Sequence, residues 1–163
     1  MITVALSATI GAPVDRVWRA LTDPTERPLW DERILGRVDA PRGSGAAARA
    51  RGRGDASPGK RTRWRFRLGA VPLVMQEDLL DEKPNERLVG RISMGSMHFD
   101  QTLTLHREDD DDSPQTRLGM KLVAHNQIAV IGEVVERLDV QKIVIEYVDT
   151  TLRQIQKHCE GDA

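Results

Sequence analysis

The sequence predicts an α+β domain: an antiparallel sheet, two short helices after its first strand, and a long helix at the C-terminal end. Three observations carry this. Residues 2–10, "ITVALSATI", alternate apolar and polar, the period of a strand with one buried face. Between residues 61 and 125 several such segments follow one another through short connections, which makes an antiparallel meander the natural topology. From about residue 133 the apolar spacing changes to alternating steps of four and three, the period of an amphipathic helix.

The elements follow in order. Ile2, Val4, Leu6, Ala8 and Ile10 form the inward face of the first strand, and Gly11 ends it. Pro13 suits a first helical turn, where its missing N–H costs nothing. Val14, Val17, Trp18 and Leu21 then share one helical face. Asp23 precedes Pro24, a position that disfavours the α region, so the helix stops there. Thr22 or Asp23 caps a second short helix running to Trp30. Ile34, Leu35 and Val38 suggest a short strand. Residues 41–59 are dense in Gly, Pro, Ala and Arg; they read as a long mobile loop, with a weak strand at 46–52 as an option.

In "RTRWRFRL", Trp64, Phe66 and Leu68 face one way and Arg61, Arg63, Arg65 and Arg67 the other. The strand at 71–82 places Val71, Leu73, Met75 and Leu79 on one phase, with Glu77 inward if that phase holds. Pro84 and Asn85 make a turn. Leu88, Ile92 and Met94 face inward from 87–94. Met97, Phe99, Gln101, Leu103 and Leu105 do so from 97–107, and Leu118, Met120, Leu122 and Ala124 from 116–125. The acidic run at 108–112 is a hairpin loop. Leu138, Gln141, Ile145, Val148, Leu152, Ile155 and Cys159 form the apolar stripe of the last helix, with 160–163 a frayed tail.

Composition narrows the function. At 163 residues, 39% apolar and 30% charged, the chain fits one soluble globular domain, 1–163. A net charge of −1 selects no partner by bulk electrostatics. The lone cysteine, Cys159, allows no intrachain disulfide and no paired-cysteine metal site. No secretory leader or bilayer-length apolar run is evident, and the expectation is a cytoplasmic protein. Arginine's excess over lysine fits a GC-rich bacterial genome. No phosphate loop, dinucleotide glycine motif or metalloprotease motif is found, so no cofactor and no metal are implied.

Particular residues then carry a resemblance. Ile10, Ala12-Pro13, Val17-Trp18, Ala20-Leu21, Thr22-Asp23-Pro24 and Trp30 resemble the opening of the START-like, or Bet v 1-like, superfamily. That group includes the polyketide cyclase/dehydrase and lipid-transport families and the heat-shock ATPase-activator homology family. "DEKPNERLVGRI" resembles the family turn in which acidic residues and proline precede Arg-Leu. The resemblance covers nearly the whole chain and implies a helix-grip fold, a curved sheet wrapped around the terminal helix with a cavity between them. Asp31 stands where activator-type members carry a second Trp or a Phe, which weakens a chaperone role, and loop 41–59 is longer than expected.

A strongly curved sheet cannot pack tightly along one straight helix, and the gap left would be lined by the inward residues. The expected lining is Trp30, Trp64, Phe66, Met75, Ile92, Met94, Phe99, Gln101, Met120, Gln141, Ile145 and Val148. Methionines suit varied apolar shapes, and a lining of this kind in a cleft of several hundred Å³ is a typical small-molecule site. Trp18 reads as core packing; Trp30 reads as core or as a ring at the cavity mouth. Gln101 and Gln141 are the polar residues on these faces. A buried amide must be satisfied, so they bond each other, the backbone or a ligand. Glu77, if inward, is a candidate acid.

Other groups weigh less. Ser96, His98 and Asp100 are spaced by two on a strand, about 6.6 Å apart, beyond hydrogen-bond reach for a triad, and they face outward. The acidic run lacks the spacing of a calcium loop. His125 and His158 read as exposed. The arginines of 42–67 read as a solvated outer face, or as a dock for an anionic partner; no aromatic residue interleaves them, which argues against nucleic acid.

Three functions remain. The first is binding of an apolar or aromatic small molecule, polyketide- or lipid-like, with Gln101 and Gln141 orienting it. The second is a cyclase or dehydratase using the same cavity. The third is a protein- or membrane-docking module working through the Arg-rich edge, without stable membrane insertion. The sequence specifies neither a catalytic residue nor an oligomeric state.

Overall fold

The structure is a computed structural model and describes residues 1–38, 60–110, 112–125, 128–131 and 134–161, with the backbone alone over 128–131 and 134–138. Its elements are β1 (Ile2–Ile10), α1 (Val14–Thr22), α2 (Arg27–Trp30), β2 (Ile34–Arg37), β3 (Arg61–Leu68), β4 (Val71–Lys83), β5 (Arg87–Met94), β6 (Met97–Arg107), β7 (Thr116–Ala124), β8 (Ile128–Ile131), β9 (Val134–Asp139) and α3 (Val140–Gly161).

Seven strands form one antiparallel sheet in the order β1-β7-β6-β5-β4-β3-β2. From β2 to β7 neighbours in sequence are neighbours in space, the expected meander, while β1 closes on β7. The fold is the helix-grip α+β fold, a curved open sheet with the long helix across its inner face. α3 packs mainly against β1 and β7. Phe66, Met75, Met94, Met97, Phe99 and Leu122 point inward and are fully enclosed. Asn85 takes the left-handed conformation, φ 63°, in the β4–β5 turn, the conformation asparagine tolerates best after glycine.

Four expectations need correction or fall outside. Residues 134–139 are not the start of the helix: they pair with β8 in a small two-stranded sheet, and α3 begins at Val140. Asp139 sets that boundary, its carboxylate accepting from the backbone N–H of Gln141 at 3.1 Å and of Lys142 at 3.4 Å, as an N-cap does. Residues 160 and 161 continue the helix rather than fray. Leu6 is 42% exposed although its strand alternates as read, because β1 is an edge strand. The loop at 41–59 and the strand option at 46–52 lie outside the described residues.

Candidate functional site

The segment joining α1 to α2 is held by its own side chains. Thr22 Oγ1 donates to the Trp18 carbonyl at 2.8 Å. Asp23 Oδ1 accepts from both the backbone N–H and the hydroxyl of Thr25, at 2.8 and 2.6 Å, an Asx turn. The Thr25 hydroxyl and backbone contacts hold the Asp23 carboxyl below its usual pKa. The Trp30 indole N–H donates to the Ala20 carbonyl at 2.8 Å and locks α2 onto α1.

Beneath this connector lies a charged network that the sequence reading did not find. Arg27 Nη1 donates to both oxygens of Glu77, at 2.9 and 3.2 Å. Its Nε and Nη2 reach Asp31 at 3.3 Å. Asp31, fully enclosed, also accepts from Arg33 at 2.9 and 3.1 Å. Arg33 continues to Thr151 Oγ1 on α3 at 2.8 Å and stacks over the rings of Tyr147 and Phe66, 4.6 and 5.2 Å from their centroids. Two cations and two anions thus compensate one another out of water. Burial by itself would raise the Asp31 pKa, but Arg27 and Arg33 pull it below the usual value. Burial pushes the Tyr147 phenol up to about 12; its hydroxyl faces Met75 Sδ at 3.7 Å.

A second cluster ties the connector to the end of α3. Glu26 meets Arg16 and His158, the latter at 2.9 Å, with Arg19 at 3.5 Å. Burial opposes charge on Glu26, yet the bonds from His158 and Arg16 leave its pKa lowered. His158 is therefore half-buried and engaged, not exposed as expected. His125 is exposed and pairs with Asp100 at 2.7 Å.

A cavity of about 90 Å³, open to solvent, lies between the connector and the inner face of β3–β6. Leu21, Thr22, Asp23, Pro24 and Arg27 roof it. Its floor runs across Thr62, Trp64, Glu77, Leu79, Leu88, Gly90, Ile92 and Gln101, and Lys60, Asp78 and Arg91 complete the lining. The register explains the hollow. Gln101 stands opposite Gly90, and Gly90 opposite Leu79, so the side chain that would fill the centre of that row is missing. The backbone enforces this: a Cβ on Gly90 would meet the Asp78 carbonyl oxygen at 2.9 Å. The register then shifts between Leu79 and Asp81.

Of the twelve residues expected around a ligand, the structure brings Trp64, Ile92 and Gln101 together in the cavity wall. Trp30, Phe66, Met75, Met94, Phe99, Met120 and Val148 are buried at 4% exposure or less in the packed core beside it. Gln141 and Ile145 face outward, and Ile145 is 44% exposed. The inner stripe of α3 runs instead through Val140, Val144, Tyr147, Val148, Thr151, Leu152, Ile155 and Cys159. None of the described residues of α3 lines the cavity, which sits beside the helix rather than along it. Trp30, bonded and enclosed, belongs to the core and not to the mouth. Trp18 packs half-buried against the same core.

Gln101 is 8% exposed, and its side chain opens onto the cavity. Among the described residues it is the Trp64 indole N–H that is buried and unbonded. Glu77 does face inward, but paired with Arg27. On the outer face Arg61 pairs with Asp78 at 2.7 Å and Arg63 bonds Gln76 at 3.2 Å. Ser96, His98 and Asp100 form no triad: His98 meets Ser93 at 3.2 Å, and Asp100 meets Arg91 and His125. Among the described residues no cluster of three His, Cys, Asp or Glu is arranged to hold a metal, and no helix is long and apolar enough to cross a membrane.

Comparison with known proteins extends the picture. A family profile described as polyketide cyclase / dehydrase and lipid transport matches residues 1–160. No curated protein matches the sequence. Among solved structures, a START superfamily protein from Mycobacterium smegmatis superposes with a TM-score of 0.68 at 13% identity, over 99% of both chains. Protein CV1439 from Chromobacterium violaceum gives 0.63 at 16%, over 97% of this chain and 96% of that one. DynU16, a protein in the dynemicin biosynthetic locus, gives 0.58 at 20%, over 97% of this chain and 48% of that one. At these identities the likeness is one of fold.

Proposed function

The chain belongs to the polyketide cyclase/dehydrase and lipid-transport family, and from that premise we propose that it binds a small apolar or aromatic molecule in the cavity under the α1–α2 connector. The observation that carries this is the Gly90 gap with the Gln101 amide beside it in the cavity wall. The Gln101 amide opens onto the cavity from an otherwise apolar row on β6, where its N–H donors and carbonyl acceptor can bond a polar group on a ligand. Leu21, Trp64, Leu79, Leu88 and Ile92 supply apolar contact, worth about 25 cal/mol per Å² removed from water. A volume near 90 Å³ is well under the several hundred Å³ of a typical ligand pocket. It suits a compact ring-sized body better than an extended lipid chain, unless the ligand protrudes through the open side. A cytoplasmic location, consistent with the buried lone thiol of Cys159, belongs to the same proposal.

A second reading, a cyclase or dehydratase acting on such a molecule, is favoured by Glu77, a carboxylate in the cavity wall. Its bidentate tie to Arg27 fixes the carboxylate in place in that wall. The docking reading draws on the Arg-rich outer face, but it calls for a collapsed cavity.

Native mass spectrometry of protein purified from the cells that make it tests binding directly. A retained small-molecule adduct that Gly90→Leu removes is the expected result. Protein that is consistently empty contradicts it.

A further inference from the structure

The floor row that holds the Gly90 gap begins one strand before Leu79. Arg61 pairs with Asp78, and the Lys60 carbonyl accepts from the Leu79 N–H at 2.8 Å, so Lys60 stands opposite Leu79. Across the sheet the row reads Lys60, Leu79, Gly90, Gln101, and all four line the cavity. Neighbouring strands lie about 4.8 Å apart, which puts the Cα atoms of the two polar ends roughly 14 Å from each other. Between them are an apolar side chain and the hollow.

The charges of the wall are unequally committed. Glu77 is held by Arg27 at 2.9 Å, Asp78 by Arg61 at 2.7 Å, and Arg91 by Asp100 at 3.3 Å. Asp23 accepts two hydrogen bonds from Thr25 and lies in the field of Arg19. Lys60 is half-buried and has no ion pair among the described residues. Thr62 and Trp64 follow it on the same face of β3 and also line the cavity. An ammonium, a hydroxyl and an indole N–H are all donors, and the Trp64 N–H has no acceptor. A carboxylate accepts through both oxygens and donates nothing, and a hydrogen bond between opposite charges is stronger than a neutral one.

Resting on the binding reading above, we infer that the ligand is an anion, a compact apolar ring that sits over Gly90 and carries a carboxylate, and that Lys60 holds this carboxylate. Gln101 is left to the far end of the ring. The ligand then lies across the strands of the floor, from β3 towards β6. Neutral molecules of the same shape enter the hollow but bind more weakly, and cations are opposed by Lys60.

Four probes with one toluene body test this: 4-methylbenzoate, its neutral isostere 4-methylbenzamide, p-cresol and 4-methylbenzylammonium. Each is titrated into the full chain at neutral pH and followed by the three tryptophan indole signals of the ¹⁵N–¹H spectrum, in wild type, Lys60→Met and Lys60→Arg. Methionine keeps an unbranched side chain and breaks no ion pair, so the fold is retained, and the dispersion of the backbone signals checks it. Wild type is expected to bind 4-methylbenzoate about tenfold more tightly than 4-methylbenzamide, with the ammonium weakest. In Lys60→Met the benzoate falls to the level of the amide while p-cresol binds as before, and Lys60→Arg, which keeps the charge, keeps most of the preference. An amide or an ammonium that binds wild type as tightly as the benzoate, or a benzoate preference that survives Lys60→Met, overturns the inference and leaves the binding reading standing. Failure of all four probes to shift any indole signal overturns the binding reading itself, and the inference with it.

Discussion

Tyr147 is the one tyrosine of the chain, so a single group reports on the buried network. Its phenol has a folded pKa of about 12 against 10.0 in the open chain. The raised value means that the native state holds this proton more tightly, so stability falls as pH rises above 10 and the loss grows to about 12, reaching about 3 kcal/mol. Absorbance at 295 nm is expected to show ionisation near 12 while the fold persists, and Tyr147→Phe is expected to flatten the alkaline loss. At the acid end the sign reverses. Glu26 and Asp31 have lowered pKa values, so their contribution is present above the open-chain values of 4.5 and 3.8 and is lost as pH falls through the lower folded ones. Urea midpoints measured from pH 6 to 3 should drop more steeply in the wild type than in Glu26→Gln. Asp31→Ala leaves Arg27 and Arg33 short of their shared carboxylate and is expected to cost about 3–5 kcal/mol at neutral pH.

Among the elements, α3 and the β4–β5 pair separate what sequence can reveal from what it cannot. Period-two alternation located β1 and β3–β7 because each has one wet and one dry face. The α3 stripe was legible over its last three turns, from Val148 to Cys159, but not over its first two. There Val144 and Ile145 are equally apolar neighbours, and Asp139, the cap that sets the register, was read as helix interior. A test of the register is direct: Ile145→Lys should change stability by no more than about 0.5 kcal/mol, whereas Ile155→Ala, fully buried, should lose about 2–5 kcal/mol. The β4 phase was uncertain for a related reason. A bulge after Leu79 inserts a residue, and no one-letter pattern marks it. The Gly90 gap comes from the glycine standing between Leu79 and Gln101 across the sheet, a cross-strand pairing that no single strand's sequence reveals.

At the scale of the whole molecule, the element order and the N-terminal motif made the fold legible, and the chain's family membership agrees. The site was legible only in part. Gln101 was found because a polar residue interrupts an apolar face. Arg27, Asp31 and Arg33 were missed because ion pairs between a short helix, its following turn and a distant strand have no local sequence period. The expectation of a cavity running along the terminal helix gave way to a smaller one beside it, because Met75, Met94, Met97 and Met120 fill the interior they were thought to line. The central claim is that the remaining hollow, between the connector and Gly90, is where a ligand sits. Crystals soaked with a bromine-bearing p-cresol test it most directly through the anomalous signal of the bromine. The account predicts one bromine site within the cavity walled by Leu21, Gly90 and Gln101; bromine found only elsewhere, or nowhere at saturating concentration, would contradict it.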